Sequence, residues 1–432
     1  MSDFDSHITV EKIEDAKDVN CTVKELSFDN TKLKLETPFK VLSGANLTKK
    51  AVSAFSNQIA NPIFEIPKAY YDQRTYSALS KAITEHSEKD KSWTAALREN
   101  ISLPQHLEET FKKNITVSIA FQYYPINNIE LRKKTPKPYQ ILDIDQYDAF
   151  LYFIHSASSV FVLTPDIRLP PSRNRTFSLE DYLRFIDHSV EVLQEYNNKP
   201  IFVPIQIDLA INDIKAVLGH YKEKGFTNIW INFKANHCDG SNAGQMELIN
   251  NQIASFYKDE DVVVYSSHMK YVTDARENEM PAYDIYPSFG GADIIGATRN
   301  KAGMGGIDDA DAVAQKKGFA DKKELKDAVE LRKLSLFDAD QYKYCIPNCY
   351  HQTIDEKIAA EVASNKNACA LFNSHEINKE LSRAREQVVE TGKLRDYLYA
   401  KSGVAESMDV FSHAMKQTQK KKTSYQLLIP QK

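Results

Sequence analysis

Between residues 160 and 269 the spacing of apolar and polar positions changes period repeatedly. Short runs rich in β-branched and aromatic residues read as strands: VFVLTPD (160–166), PIFVPIQID (200–208), NIWINFKAN (228–236) and VVVYSSHM (262–269). The stretches between them place apolar residues three and four apart and read as amphipathic helices: SLEDYLRFIDHSVEVLQEY (178–196), INDIKAVLGHYKEKG (211–225) and QMELINNQIASFYKDE (245–260). Ser178 suits an N-cap, and Glu180 and Asp181 suit the positive end of the helix that follows. Gly225 stands where a helix C-cap belongs. Two earlier runs, NPIFEIP (61–67) and PYQILDID (138–145), also read as strands, the second followed by a helix over YDAFLYFIHSAS.

Repeated strand–helix steps predict an α/β protein with a parallel sheet and its helices outside. An eight-stranded (β/α)8 TIM-type barrel and an open doubly wound sheet share this pattern. Polar residues gather at the carboxyl ends of the strands, namely Asp145, Asp166, Gln206, Asp208, Asn236 and His268. Barrel enzymes build their sites there, so the barrel is favoured. No GxGxxG follows a first strand, as a dinucleotide-binding sheet would require.

The predicted organisation is an extension over residues 1–30, a barrel over 31–310, and a mainly helical region over 311–432. Within this frame NKAGMGGIDDADA, from residue 300, reads as a mobile loop, and Lys416 with Lys420–Lys422 makes a basic tail. The chain has 432 residues, 42% hydrophobic and 26% charged, with a net charge of −4. That composition supports a sizeable core and does not exclude a nucleic-acid partner, which responds to a local basic face. No run of about 18 apolar residues exists, so no membrane span is expected. The acidic amino terminus lacks a signal pattern. An odd count of five cysteines argues against a disulfide framework and for reduced thiols in the cytoplasm.

Two of those cysteines crowd one turn, YKYCIPNCYHQ (342–352). Structural zinc needs four ligands in tetrahedral array, and a tight turn with a following helix can supply them. Cys345, Cys349 and His375 are the candidates, with His351 as fourth ligand and Cys369 as its alternative. The competing reading makes the cysteines buried small hydrophobes and His375 a surface residue.

This arrangement resembles the tRNA-guanine transglycosylases, in which a (β/α) barrel precedes a Cys-x-Cys-x2-Cys-x25-His zinc motif. Cys349 and His375 reproduce its last interval, and FNSHEINKELSRAREQVVETGKLRDYL (372–398) is similar to that family's closing helix pair. The first two cysteines of the motif are replaced by the single Cys345. LKLETPFKVLSG (33–44) is similar to the family's opening strand. VFVLTPDIRLPP (160–171) is similar to the strand whose Asp reads the base, and PIFVPIQ (200–206) to the strand whose Gln does so. GGADIIGATR (290–299) is similar to R-G-I-D-M-F-D…P-T-R, the strand that carries the nucleophile. The family's Asp-Ser-Gly-Gly motif is absent.

The resemblance implies exchange of guanine for a 7-deazaguanine base in a polynucleotide through a covalent Asp–sugar intermediate. It implies that Asp166 and Gln206 hold the base, with Asp293 as nucleophile and Asp284 in reserve. Asp143 or Asp145 would move protons, and Arg299 would support a phosphate or the pocket. It further implies structural zinc and a homodimer or helper protein. The departures from the motifs favour the branch acting on DNA over the tRNA enzymes. Two other readings stand beside this one. The chain is a catalytically silent partner subunit of a transglycosylase, or it is an unrelated barrel lyase or aldolase using Lys234 and His268.

Overall fold

The computed structural model describes residues 7–44, 55, 63–84, 92–103, 114–131, 133–134, 137–139, 142–170, 177–196, 198–258, 260–271, 274–299 and 310–416. It opens on three antiparallel strands, β1 (Ile8–Asp15), β2 (Thr22–Phe28) and β3 (Leu33–Thr37), paired in that order. Residue 30, the expected edge of the extension, falls in the turn between β2 and β3.

A circuit of parallel strands follows. Its staves are β4 (Phe39–Lys40) with β5 (Leu42–Ser43), β6 (Phe64–Tyr70), β7 (Ile115–Phe121), β8 (Val162–Leu163) with β9 (Asp166–Ile167), β10 (Ile201–Gln206), β11 (Asn228–Asn232), β12 (Val263–Ser267) and, after β13 (Glu279–Pro281), β14 (Ile294–Ile295). β5 pairs with β6, β6 with β7 and β7 with β9. β8 pairs with β10, β10 with β11, β11 with β12 and β12 with β14. β14 pairs with β4, which returns the circuit to its first stave. The fold is α/β and barrel-like, a curled parallel sheet of six strands joined by a second of four. Every residue of β10 and β11 is buried, as strands covered on both faces must be.

Helices alternate with the staves: α1 (Gln73–Thr84), α2 (Ser92–Asn100), α3 (Ile144–Ala157), α4 (Leu179–Gln194), α5 (Ile211–Glu223) and α6 (Gly240–Tyr257). Ser178 caps α4 in a reciprocal box with Asp181. Gly225 follows α5 with φ +77°, a left-handed conformation that favours glycine.

Sequence and structure differ over PYQILDID. Lys137–Tyr139 is a 3-10 turn, and α3 starts at Ile144. The third stave is instead ITVSIAF, residues 115–121. An apolar run beside a helix start satisfies the strand pattern equally well, and only the tertiary pairing separates the two.

The interior core joins the barrel to the amino-terminal sheet. Leu26, Phe28 and Leu35 of the sheet cluster with Phe161, Phe202, Trp230, Tyr265 and Ile294 of the staves. The sheet therefore plugs one end of the barrel. Beyond it come α7 (Ala310–Lys316), α8 (Lys322–Arg332), β15 (Leu336–Asp338), β16 (Lys343–Cys345), α9 (Glu356–Val362) and α10 (Lys366–Thr391). β13, from before residue 310, pairs with β16, which in turn pairs with β15. α10 lies along β4 and β5. The Gly-rich stretch 300–309 and the tail from residue 417 lie outside the described residues.

Candidate functional site

Asp166 starts β9, and Gln206 ends β10. Asn232 ends β11. Parallel staves bring these carboxyl-side positions together. Asn232 Nδ2 donates to Asp166 Oδ2 at 2.6 Å, and Gln206 Nε2 donates to Asp166 Oδ1 at 3.0 Å. The Tyr182 hydroxyl lies between Asp166 Oδ1 at 3.2 Å and the Pro204 carbonyl at 3.0 Å. Burial pushes the Asp166 carboxyl up to about 6, against the pull of Asn232, Lys234, Gln206 and Tyr182. Gln206 is committed as well: Nε2 also donates to the Ile167 carbonyl, and Oε1 accepts from Leu169 N and Lys234 Nζ. The structure thus brings the two expected base-holding residues together, and in this state they hold each other. Asp166 Oδ2, with one donor, keeps accepting capacity.

A second cluster lies inside the barrel. Glu65, on β6, is fully buried. Its Oε1 accepts from Ser118 Oγ at 2.5 Å, and its Oε2 from the Tyr265 hydroxyl at 2.6 Å and from Ala297 N. Ser118 Oγ also lies 2.8 Å from His268 Nε2. Burial raises the Glu65 pKa and holds that of His268 well below its usual value, with Arg299 adding to the second effect. Sequence analysis did not single out Glu65. Its signal was one acidic residue inside the strand FEIPKAY, a pattern shared with any half-exposed strand.

Lys40 is buried beside this cluster. Its Nζ donates to the Gly296 carbonyl at 2.8 Å and lies 3.8 Å from Asp284 Oδ2. Asp284, in the 3-10 turn Tyr283–Ser288, accepts from the Tyr344 hydroxyl at 2.9 Å. Burial lowers the Lys40 pKa and raises that of Asp284, each opposing the other's shift.

The other expected catalytic residues are elsewhere. Asp293 precedes β14, at its amino end. It pairs with Lys24 of β2 at 2.8 Å and accepts from Val264 N at 2.8 Å. It therefore fastens the sheet to the barrel and does not meet Asp166. The two acidic positions of R-G-I-D-M-F-D fall on Asp293 and Gly296, and Gly296 follows the stave's carboxyl end. A Cβ at Gly296 would stand 2.3 Å from Glu65 Oε2 and 2.3 Å from Ser267 Cβ. Asp143 is the N-cap of α3, and Asp145 lies exposed in its first turn, outside the strand circuit. A capping box needs an acceptor at that position, which accounts for Asp143.

Lys234 Nζ donates to both oxygens of Asp208 at 2.8 Å and to Gln206. These partners tie up the amine that Schiff-base chemistry would need. Backbone strain marks the same rim: Lys234, Ala235 and His268 have φ of +54°, +56° and +60°. Strained residues of this kind concentrate where function fixes the backbone. Arg168, Lys234, Lys270 and Arg299 stand just beyond the carboxyl ends of four staves, against Asp72 and Asp208.

Cys345 ends β16, where burial pushes its thiol up to about 12. Cys349 is half-buried at the end of the turn Pro347–Cys349, His351 is exposed, and His375 is half-buried on α10. Cys369 Sγ donates to the Val362 carbonyl at 3.0 Å. Among the described residues no three His, Cys, Asp or Glu side chains are gathered to hold a metal ion. Among the same residues no helix is long and apolar enough to cross a membrane.

No family model matches the chain, and no curated protein does. Among solved structures it is similar to the carboxyl transferase domain of Rhizobium etli pyruvate carboxylase. The form with pyruvate has 11% identity and a TM-score of 0.35, over 88% of this chain and 58% of that one. The form with 3-hydroxypyruvate has 11% identity and a TM-score of 0.34, over 84% and 53%. The chain thus spans somewhat more than half the length of either.

Proposed function

We propose that the chain takes part in exchanging guanine for a 7-deazaguanine base in a polynucleotide, DNA in preference to tRNA. The carrying observation is the barrel mouth, where the buried Asp166 carboxylate lies within reach of the Lys234 charge, and Arg168, Lys270 and Arg299 follow the carboxyl ends of three further staves. Guanine offers a ring N–H and an amino group, which suit a carboxylate acceptor. A polynucleotide brings phosphates, which suit the cations. On this reading the base displaces Gln206 from Asp166 as it enters. The target nucleotide must leave its stack to get there. No step passes through zinc.

The placement of Asp293 favours a second reading, in which the chain is the silent subunit of an active transglycosylase. The acidic position at the carboxyl end of β14 is occupied by Gly296, and Asp293 lies at the other end.

Labelled guanine or 7-deazaguanine, offered with separate DNA and tRNA acceptors, tests both. Label entering DNA, lost in Asp166→Ala and kept in Asp293→Ala, is the expected result. No label in either acceptor from folded protein sinks the enzyme reading. Label restored only on adding an active transglycosylase subunit establishes the silent one.

A further inference from the structure

The Glu65 cluster has no part in the base-holding just described, yet it is a fully buried polar chain inside the barrel. Glu65, Ser118 and His268 come from three staves, β6, β7 and the end of β12, and all three are buried. Their polar atoms form one line: Glu65 Oε1 to Ser118 Oγ at 2.5 Å, then Ser118 Oγ to His268 Nε2 at 2.8 Å. The line ends at His268 Nδ1, which is buried and has no hydrogen-bond partner among the described residues. Leaving a buried donor or acceptor unpaired is costly, and the left-handed backbone of His268 is a second unusual feature at the same residue.

We propose that Glu65, Ser118 and His268 form a proton relay whose working end is His268 Nδ1, acting on a ligand with an exchangeable N–H or O–H. Two proton arrangements fit the geometry. With Glu65 ionised, Ser118 donates to Glu65 and His268 Nε2–H donates to Ser118, so Nδ1 is a bare acceptor. When Nδ1 takes a proton from the ligand, the Nε2 proton passes to Ser118 Oγ and the Ser118 proton passes to Glu65 Oε1. Glu65 is then a neutral acid, Ser118 donates to Nε2, and Nδ1–H is a donor. One proton has left the ligand and one has arrived on Glu65, and the imidazole is neutral before and after.

The surroundings suit this traffic. Glu65 Oε2 is occupied by the Tyr265 hydroxyl and Ala297 N, which leaves Oε1 as the oxygen that can carry the proton. The charged and titratable groups facing the relay are Lys40 with Asp284 beyond it, Tyr265, and Arg299 on the His268 side. Arg299 and burial both oppose an imidazolium, and burial favours the protonated carboxyl of Glu65. The charge change is therefore stored on the acid. Under the base-exchange reading the ligand is the leaving or entering base, but the relay stands without that reading.

The ring nitrogens of His268 report on it directly. In 15N-histidine-labelled protein, with the His268 signal assigned by its loss in His268→Gln, the tautomer is followed between about pH 5 and pH 9. The expected result is a neutral ring that changes from Nδ1–H at low pH to Nε2–H at high pH. Glu65→Gln must place its amide NH2 toward Ser118, because Tyr265 and Ala297 hold the oxygen. That variant is expected to fix Nδ1–H across the range. Ser118→Ala is expected to uncouple the ring from Glu65 and provides the test if Glu65→Gln does not fold. One unchanging tautomer in the wild type, an imidazolium at low pH, or a switch that survives both substitutions overturns the relay. None of these outcomes depends on base exchange, so a failed exchange assay leaves the test standing.

Discussion

Asp166 is a carboxylate that folding pushes toward neutrality. Its folded value of about 6 lies above the ordinary 3.8, so the folded state binds the proton more tightly than the unfolded chain. Its contribution is fully present below the unfolded value and is lost as pH rises through about 6, a swing on the order of 3 kcal/mol. Asp166→Asn removes that dependence and sets an amide donor against Asn232 or Gln206. Denaturant unfolding across pH 4 to 7 is expected to show the variant less stable, by about 1–3 kcal/mol. The deficit should shrink as pH rises; a constant deficit would refute the shift. Gly296→Ala should cost about 1–3 kcal/mol or more, read by the same unfolding, because its Cβ collides with Glu65 and Ser267. Asp166 and Gln206 were legible in the sequence because each interrupts an apolar run near its carboxyl end. That Asp293 stands at the amino end of β14 was not legible, for a physical reason. Which end of a strand a residue occupies turns on one or two positions, and only pairing fixes them.

At the scale of elements, α10 is anchored by a buried carboxylate. Glu380 Oε1 accepts from the Tyr342 hydroxyl at 2.8 Å and the Tyr397 hydroxyl at 2.6 Å, and Lys401 Nζ lies 3.1 Å away. Glu380→Ala leaves the Lys401 ammonium, which still donates to the Ala339 carbonyl, without its counter-charge in a nearly closed site. A loss of about 3–5 kcal/mol in unfolding free energy is expected, and a loss under about 1 kcal/mol would mean water takes over the role. The helices were the most legible elements, since their period and caps act locally. The stave at 115–121 escaped notice, and 138–145 was taken for one, because short apolar runs carry no mark of whether they find a sheet partner. The cysteine turn was legible as a turn, but sequence spacing does not specify where its side chains point.

For the whole molecule, the amino-terminal sheet is part of the core. Leu26, Phe28 and Leu35 cover the barrel interior, and Lys24 holds Asp293. Deleting residues 1–37 is expected to yield protein without fixed tertiary packing, seen as lost near-ultraviolet circular dichroism with helical signal retained. A compact, cooperatively unfolding product would show the sheet to be dispensable. Three of the strand–helix steps, from β8 through β12, were readable in advance. Closure was expected only from the polar residues at strand ends, because the pairing itself depends on β14 meeting β4 across most of the chain.

The strap between β1 and β2 carries a consequence for how the protein is made. Asn20 N donates to the Ala414 carbonyl, Asp18 accepts from Leu394 N, and Val19 bridges to Met415. These contacts join residues 18–20 to residues 394–415. At ordinary synthesis rates of about 5–20 residues per second, residue 20 waits on the order of 20–80 seconds for residue 414 to be made. Throughout that time the strap lacks its partners, even once the barrel strands up to β14 are made, so holding factors at the ribosome exit have it to protect until residue 414 emerges.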